Sequence, residues 1–516
     1  MIDDQIRGQL RLLAETQSVG SDDPQARVEH RVRRRRNRRW VRALTGLVAI
    51  ALALVGIGVT ILFDDAPDER IATPSTASDT EAGVSVLDPG PLEQRGLQTA
   101  TVWTGDEIVV WGTNVEGGRQ GLNDGAAYDP ETGEWRVLAA APIDNASEVP
   151  HLFWTGDEVL VVSGVSVAAW NPETDTWRRF ADLPFSFPAE HQPINSEKTI
   201  LDAAWTGDEL IFADAWAVLD PDEGTWRALP APPLALYRAT VTWTGTEVIV
   251  AGATSDPGVT IAGDVEGVAY DPETNSWREL PQAPVHSQAT DAAWTGAELV
   301  VVDYSATAAA YDPATNSWRE LRDLPVLTGE WTPQVVAVDD VVAVFMGNAV
   351  AVLREDEWTP LPYGEFPIGR HAVAGDSVYS LGAAMAATGV GPARFVAMDI
   401  AERLNAGVRQ IGPAVLELPS DFEFGRFTTS GRVGLIGGGP ETLAIELRGS
   451  HGDCMVRASQ YGLPPPPPDR SVELRVPSYS IYLAVTCGDA ETARRVADHL
   501  TLPDYLPEWA AFTPPE

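Results

Sequence analysis

Lysine is almost missing from this chain: Lys198 stands alone in 516 residues, and with arginine included the bases number 36 against 74 acids. A formal net charge of −38 repels nucleic acid and anionic lipid, so binding to a phosphate backbone is excluded as a main role. Cysteine is as scarce. Cys454 and Cys487 are the only two, which rules out a four-cysteine zinc site and allows one intramolecular disulfide at most. The seven histidines (His30, His151, His191, His286, His371, His451, His499) nowhere show the i, i+3 or i+4 spacing of a metal-binding helix. There is no Gly-x-Ser-x-Gly elbow and no phosphate-binding loop. Nothing in this inventory points to a cofactor or a resident metal. An apolar content of 44% nevertheless belongs to a globular protein, and the length predicts at least two domains.

What the chain has is repetition. Trp-Thr-Gly-x-Glu occurs at Trp103, Trp154, Trp205, Trp243 and Trp294, at intervals of 51, 51, 38 and 51 residues. Each copy is answered downstream by a large residue, Asp or Asn, Pro and a closing tryptophan: Tyr128 to Trp135, Trp170 to Trp177, Leu219 to Trp226, Tyr270 to Trp277 and Tyr311 to Trp318. A period of this length is one supersecondary unit of a closed β-array. Thr99 to Trp111 reads as a hairpin turning at Thr-Gly-Asp-Glu. In the second hairpin the Asp side chain can accept from a backbone N–H two residues on, Pro presets the turn, and Gly133, Asn275 or Asn316 supplies the left-handed residue. Each unit is therefore expected to be four antiparallel strands, the outermost carrying Trp-Arg. Two worn units follow: Pro333 to Met346 with Ala349 to Arg354 and Glu357 to Leu361, then Arg370 to Leu381 with Ala393 to Asp399 and Gly407 to Ile411. Val84 to Leu87 lines up with the outer strand at Trp226 to Leu229, so an early segment is expected to complete the last sheet and leave no open edge.

The aromatic-to-tryptophan spacing, with glycine closing the second strand at Gly112, Gly164 and Gly252, resembles the kelch repeat. The resemblance covers residues 84–412; the family's paired glycines are single here and are replaced at Asp214 and Asp303. It implies an all-β fold, a seven-bladed kelch-like β-propeller with six as the alternative count, used as a disc that binds protein or carbohydrate. Enzymes also occur on such propellers. A galactose-oxidase-like copper site would need a cysteine near the axis, whereas both cysteines lie beyond the repeats. The Asp-Pro-Glu-Thr-Gly-Glu-Trp turns resemble sialidase Asp-boxes only out of register.

Ahead of the repeats, a cluster of arginines from Arg31 to Arg39 precedes Ala43–Phe63, 21 uncharged residues. As a helix they would span about 31 Å, the thickness of a hydrocarbon core. The positive-inside tendency puts 1–42 in the cytoplasm and the repeats outside, as a single-pass plasma-membrane protein with 64–83 as tether, and a secretory signal peptide, with Arg38-Arg39-Trp40 loosely resembling a twin-arginine signal, is the competing reading. Residues 413–516 are expected to form a small α+β domain: strands at Arg432 to Ile436, Thr442 to Leu447, Val472 to Val476 and Ile481 to Thr486, the proline run Pro464 to Pro468, and a helix Ala490 to Leu500 capped by Asp489. In an oxidising compartment Cys454 and Cys487 are expected to pair.

Residues that recur in every unit are expected to pack, so recognition is sought where units differ. The candidates are Asn114, Glu116, Arg119, Asn123 and Asp124 in the first unit, Phe187 and His191 in the stretched second-to-third connection, and Asp256, Asp264 and Glu266 in the fourth. His151, His286 and His371 each stand shortly before a unit's first strand, a place from which a side chain can look towards a central channel. The expectation is a non-catalytic binding module for a protein or glycan. A sensor relaying occupancy to the arm 1–42, and a hydrolase or lyase with an axial site, are the alternatives. The last requires Asp, Glu, His and Arg from different units to converge at one end of the inner strands.

Overall fold

The computed structural model describes residues 83–501, apart from 93–98, 113–122, 144–149, 184–201, 254–264, 286–289, 326–332, 363–369, 431–441, 460–470, 477–480 and breaks of one or two residues. The arm, Ala43–Phe63 and nearly all of the tether lie outside the described residues, as do Arg432 to Ile436 and Pro464 to Pro468. Among the described residues no helix is long and apolar enough to cross a membrane.

Seven four-stranded antiparallel sheets follow one another. The first comprises Ala100–Trp103, Ile108–Trp111, Gly125–Asp129 and Glu134–Val137, paired in chain order. The same order holds from His151–Trp154 to Thr176–Arg179, from Ala204–Trp205 to Thr225–Ala228, from Tyr237–Trp243 to Ser276–Glu279, from Thr290–Trp294 to Ser317–Glu320, and from Gln334–Val338 to Glu357–Leu361. The seventh is built from Ala372–Ala374, Ser377–Ala386 and Gly389–Asp399, and its fourth strand is Val84–Leu87, with Val84 opposite Met398 and Leu87 opposite Phe395. Val408–Ile411 does not join the seventh sheet but pairs with Ala414–Glu417, because the place it would take is filled by the early strand.

Local chemistry explains why the sequence folds this way. In the first turn Thr104 N–H donates to Glu107 O at 3.0 Å, and the Thr104 hydroxyl accepts from Glu107 N–H at 3.0 Å. Gly105, Gly156, Gly207, Gly245 and Gly296 sit at φ between +93° and +103° there, a conformation an L side chain rarely adopts. In the second turn Asp129 Oδ1 accepts from Glu131 N–H at 2.8 Å, as Asn171, Asp220 and Asp312 do in their copies. The left-handed residue is Gly133, Asp175, Gly224, Asn275 or Asn316.

Side chains then join sheet to sheet. Each consecutive pair shares one buried apolar cluster, and so do the seventh and first, through Phe395, Leu381, Ile108 and Tyr128. This is a closed, propeller-like series. The closing tryptophan of each copy donates its indole N–H to a carbonyl of the preceding connector: Trp177 to Ala139, Trp226 to Ala181, Trp277 to Pro230, Trp318 to Pro281 and Trp358 to Arg322, at 2.7–2.9 Å. Trp135 does the same to Asp88, just past the early strand, so that segment takes the part of a preceding connector. The glutamate of each first turn binds the arginine beside the closing tryptophan in all five clear copies: Glu107–Arg136, Glu158–Arg178, Glu209–Arg227, Glu247–Arg278 and Glu298–Arg319. Several of these arginines also reach forward, as Arg278 does to Tyr311 Oη at 3.1 Å and Arg319 to Asp356 at 2.8 Å.

After the seventh sheet come the helix Ile400–Asn405, a three-stranded sheet and a five-stranded antiparallel sheet over a separate core that includes Leu447, Val456, Leu483 and Val496. Thr442–Gly449, Ser471–Val476 and Ile481–Thr486 are strands of the five-stranded sheet. Cys454 and Cys487 are disulfide-bonded. Asp489 caps the last helix by accepting from Thr492 N–H at 2.8 Å, and Ala493, Val496 and Ala497 are its buried face. That helix is Ala490–Ala497, shorter than expected, because the chain turns at Asp498 so that Leu500 can enter a strand.

Candidate functional site

The repeated residues are spent on the scaffold. Both tryptophans of a copy pack into clusters between sheets, as Trp154 and Trp177 do in one and Trp294 and Trp318 in another. The arginines and glutamates of the turns bind each other. A surface hollow lined by Thr246, Glu247, Arg278, Pro313, Ala314 and Asn316 therefore presents an ion pair already satisfied.

The candidate loop residues are divided by the structure. Asn114, Glu116, Arg119, Phe187, His191, Asp256 and Asp264 lie outside the described residues, as does His286. Asn123 ties its loop to the first connector, donating from Nδ2 to Ala141 O at 3.3 Å and accepting at its carbonyl from Ala141 N–H at 2.9 Å. The Asp124 carbonyl accepts from Gly112 N–H, and Glu266 sits in a strand opposite Gly252. Asn123 and Asp124 thus brace the loop base.

A different set of residues converges on the inner strands. His151 begins the first strand of the second sheet and is 4% exposed. Its Nδ1–H donates to Asp202, two residues ahead of the third sheet, at 3.2 Å, and its Nε2 accepts from Arg370 Nη2, 219 positions away and two residues ahead of the seventh, at 2.8 Å. This proton arrangement requires a neutral imidazole, and burial, helped by the charge of Arg370, holds the ring below its ordinary pKa. Asp202 Oδ2 accepts from Val241 N–H of the fourth sheet at 3.2 Å. Burial pushes this carboxyl up, but the His151 hydrogen bond, the charge of Arg370 and the Val241 N–H outweigh it and hold the pKa low. The side chain remains 21% exposed, so a solute can reach it.

Asp291, in the first strand of the fifth sheet, accepts from Val335 N–H of the sixth at 2.7 Å. Burial pushes its carboxyl to about 6, against the opposing effects of that N–H and of Arg370, with the charge of Asp202 adding to the rise. The first sheet braces Arg370 by its backbone: Thr101 Oγ1 donates to Arg370 O at 2.6 Å and Arg370 N–H donates to Thr99 O at 3.2 Å. His151, Asp202, Asp291 and Arg370 thus form a polar collar drawn from four sheets. Neighbouring His371 is not part of it. It is buried against the Phe345 ring at 4.4 Å, and burial lowers its pKa to about 3.

The signal for the collar is a column across the repeats. Three residues before each repeat tryptophan the chain reads Ala100, His151, Asp202, Thr240 and Asp291. A strand position that is Ala in one copy and Asp or His in three others is not required by packing. Reading for long loops passes over it.

Chemically, the collar sets one guanidinium against a neutral imidazole that is bonded to one carboxylate, with a second carboxyl, of unlike pKa, close enough to feel both charges. Among the described residues no group of three His, Cys, Asp or Glu side chains is placed to hold a metal ion. Comparison with known protein families and with curated proteins returns no match.

Proposed function

We propose that this chain is a kelch-type propeller, anchored in the plasma membrane by Ala43–Phe63 with its bulk outside, and that it works as a recognition module receiving its ligand at the collar. The observation that carries this reading is the convergence of His151, Asp202, Asp291 and Arg370 from four sheets whose remaining repeat positions are spent on packing and turns. The variable loops Thr113 to Gly125 and Ala253 to Gly267 are the competing recognition surface. The test is binding of envelope glycans and envelope proteins to the immobilised full-length chain, comparing wild type with a His151→Ala/Arg370→Ala double variant and with chains shortened in either loop. Loss of binding in the double variant at an unchanged far-UV spectrum supports the collar. Loss only on loop shortening removes it in favour of the rim.

A second reading, an axial hydrolase or lyase, is favoured by one observation. Asp202 is held low and Asp291 near 6, and carboxyl groups pushed apart in this way are a common arrangement for a base and an acid. Turnover of acidic or neutral oligosaccharides with a pH optimum that shifts in Asp291→Asn would establish it. Absence of product at high enzyme concentration would dismiss it for those substrates.

A further inference from the structure

The hydrogen-bonding capacity left over in the collar is almost all of one kind. Asp202 has both oxygens engaged, Oδ1 by His151 and by Ala203 N–H at 3.2 Å, Oδ2 by Val241 N–H. His151 has both ring nitrogens engaged. Asp291 has one oxygen on Val335 N–H. Arg370 differs. Among the described residues its guanidinium makes one bond, through Nη2 to a neutral imidazole, and enters no ion pair. The five repeat arginines, in contrast, all grip a glutamate. In a chain with twice as many acids as bases, a half-buried guanidinium with most of its N–H groups unspent is a place for an external anion. The planar fork of arginine matches a carboxylate in particular.

We propose that Arg370 anchors the carboxylate of a small acidic ligand carrying a hydroxyl beside that carboxylate, as in a uronic acid or a simple hydroxy acid, and that Asp291 takes the hydroxyl. The proposal rests on the reading of the collar as the recognition site and names the ligand class for it. A cationic ligand fits less well, because both Asp202 oxygens are already accepting and only the second oxygen of Asp291 is left to it. Among the described residues the charged groups that act on Asp291 are Arg370 and Asp202, and His151 is neutral. With Asp291 ionised the collar carries one net negative charge; with it protonated the charge is zero, and an anion is no longer repelled. Affinity therefore rises as pH falls through about 6.

The experiment is calorimetric titration of the full-length chain with galacturonate, lactate, galactose and galactosamine at about pH 5 and pH 7.5. Arg370→Gln, Arg370→Lys and Asp291→Asn are compared with wild type, each checked by near-UV circular dichroism. Galacturonate or lactate should bind and galactose should not, with affinity about tenfold higher at the lower pH. Arg370→Gln should cost at least tenfold, Arg370→Lys should recover part of it, and Asp291→Asn should flatten the pH dependence while keeping binding at pH 7.5. Binding of galacturonate without lactate identifies a sugar acid, and equal binding identifies the hydroxy acid group alone. Binding of galactose or galactosamine lost in His151→Ala would overturn the carboxylate and spare the collar. No binding of any probe, or acid binding unchanged in Arg370→Gln, would overturn the proposal.

Discussion

Asp291 is the residue at which burial and function conflict most openly. Its carboxyl is raised from an ordinary value of 3.8 to about 6, so the folded chain holds this proton over a range in which the unfolded chain has lost it. Stability from this group is therefore greatest at acid pH and is lost as pH rises from about 4 through 6. The cost of keeping the carboxylate ionised at pH 8 is about 3 kcal/mol as an order of magnitude. Asp291→Asn still offers an oxygen to Val335 N–H and should raise the unfolding free energy at pH 8 by up to about that much, with no gain near pH 4. Urea unfolding at the two pH values checks it, and an equal effect at both would show that the carboxyl is not perturbed. His371 works in the opposite direction. Its pKa of about 3 lies below the ordinary 6.5, so its contribution is present at neutral pH and is lost as pH falls between those values. Neither residue stands out in the linear sequence. His371 and His151 are visible there only as histidines ahead of an inner strand, and Asp202 and Asp291 become visible once the five copies are stacked on their tryptophans.

Among the elements, Val84–Leu87 has the largest consequence for its size. Its alignment with the outer strand of another copy is legible in the sequence, and the register with Phe395 to Met398 bears that alignment out. The strand count of the seventh sheet was harder to read, because Val408–Ile411, begun and ended by a β-branched residue, reads as a strand in the place of a fourth, and only the occupied edge diverts it. The segment after the early strand is clamped. Asp88 O receives the Trp135 indole, and a Cβ on Gly90, at φ +54°, would lie 2.4 Å from Trp135 Cδ1. Gly375, at φ +60°, has nothing within 4 Å of the same position. Gly375→Ala should therefore cost only the left-handed strain, about 1 kcal/mol, whereas Gly90→Ala adds displacement of Trp135 and should cost about 2–3 kcal/mol. Equal denaturation midpoints for the two variants would mean that the clamp contributes nothing to stability.

On the scale of the whole molecule, the repeats, turns and disulfide were legible because each depends on short-range chemistry: a threonine hydroxyl over a turn, an Asp side chain ahead of proline, two cysteines with no competitors. The collar was not, because it exists only when the second, third, fifth and seventh sheets are brought round to one place. His151 and Arg370 meet across 219 positions, so their contact reports on closure of the series and on assembly of the proposed site together. A double-mutant cycle on the full-length chain, with His151→Ala, Arg370→Ala and the pair, measures that contact by the unfolding free energy of each. A coupling of about 1.5–3 kcal/mol is expected for a buried hydrogen bond to a charged group. Effects that add to within about 0.5 kcal/mol would mean that the two side chains do not touch and that the series does not close as described.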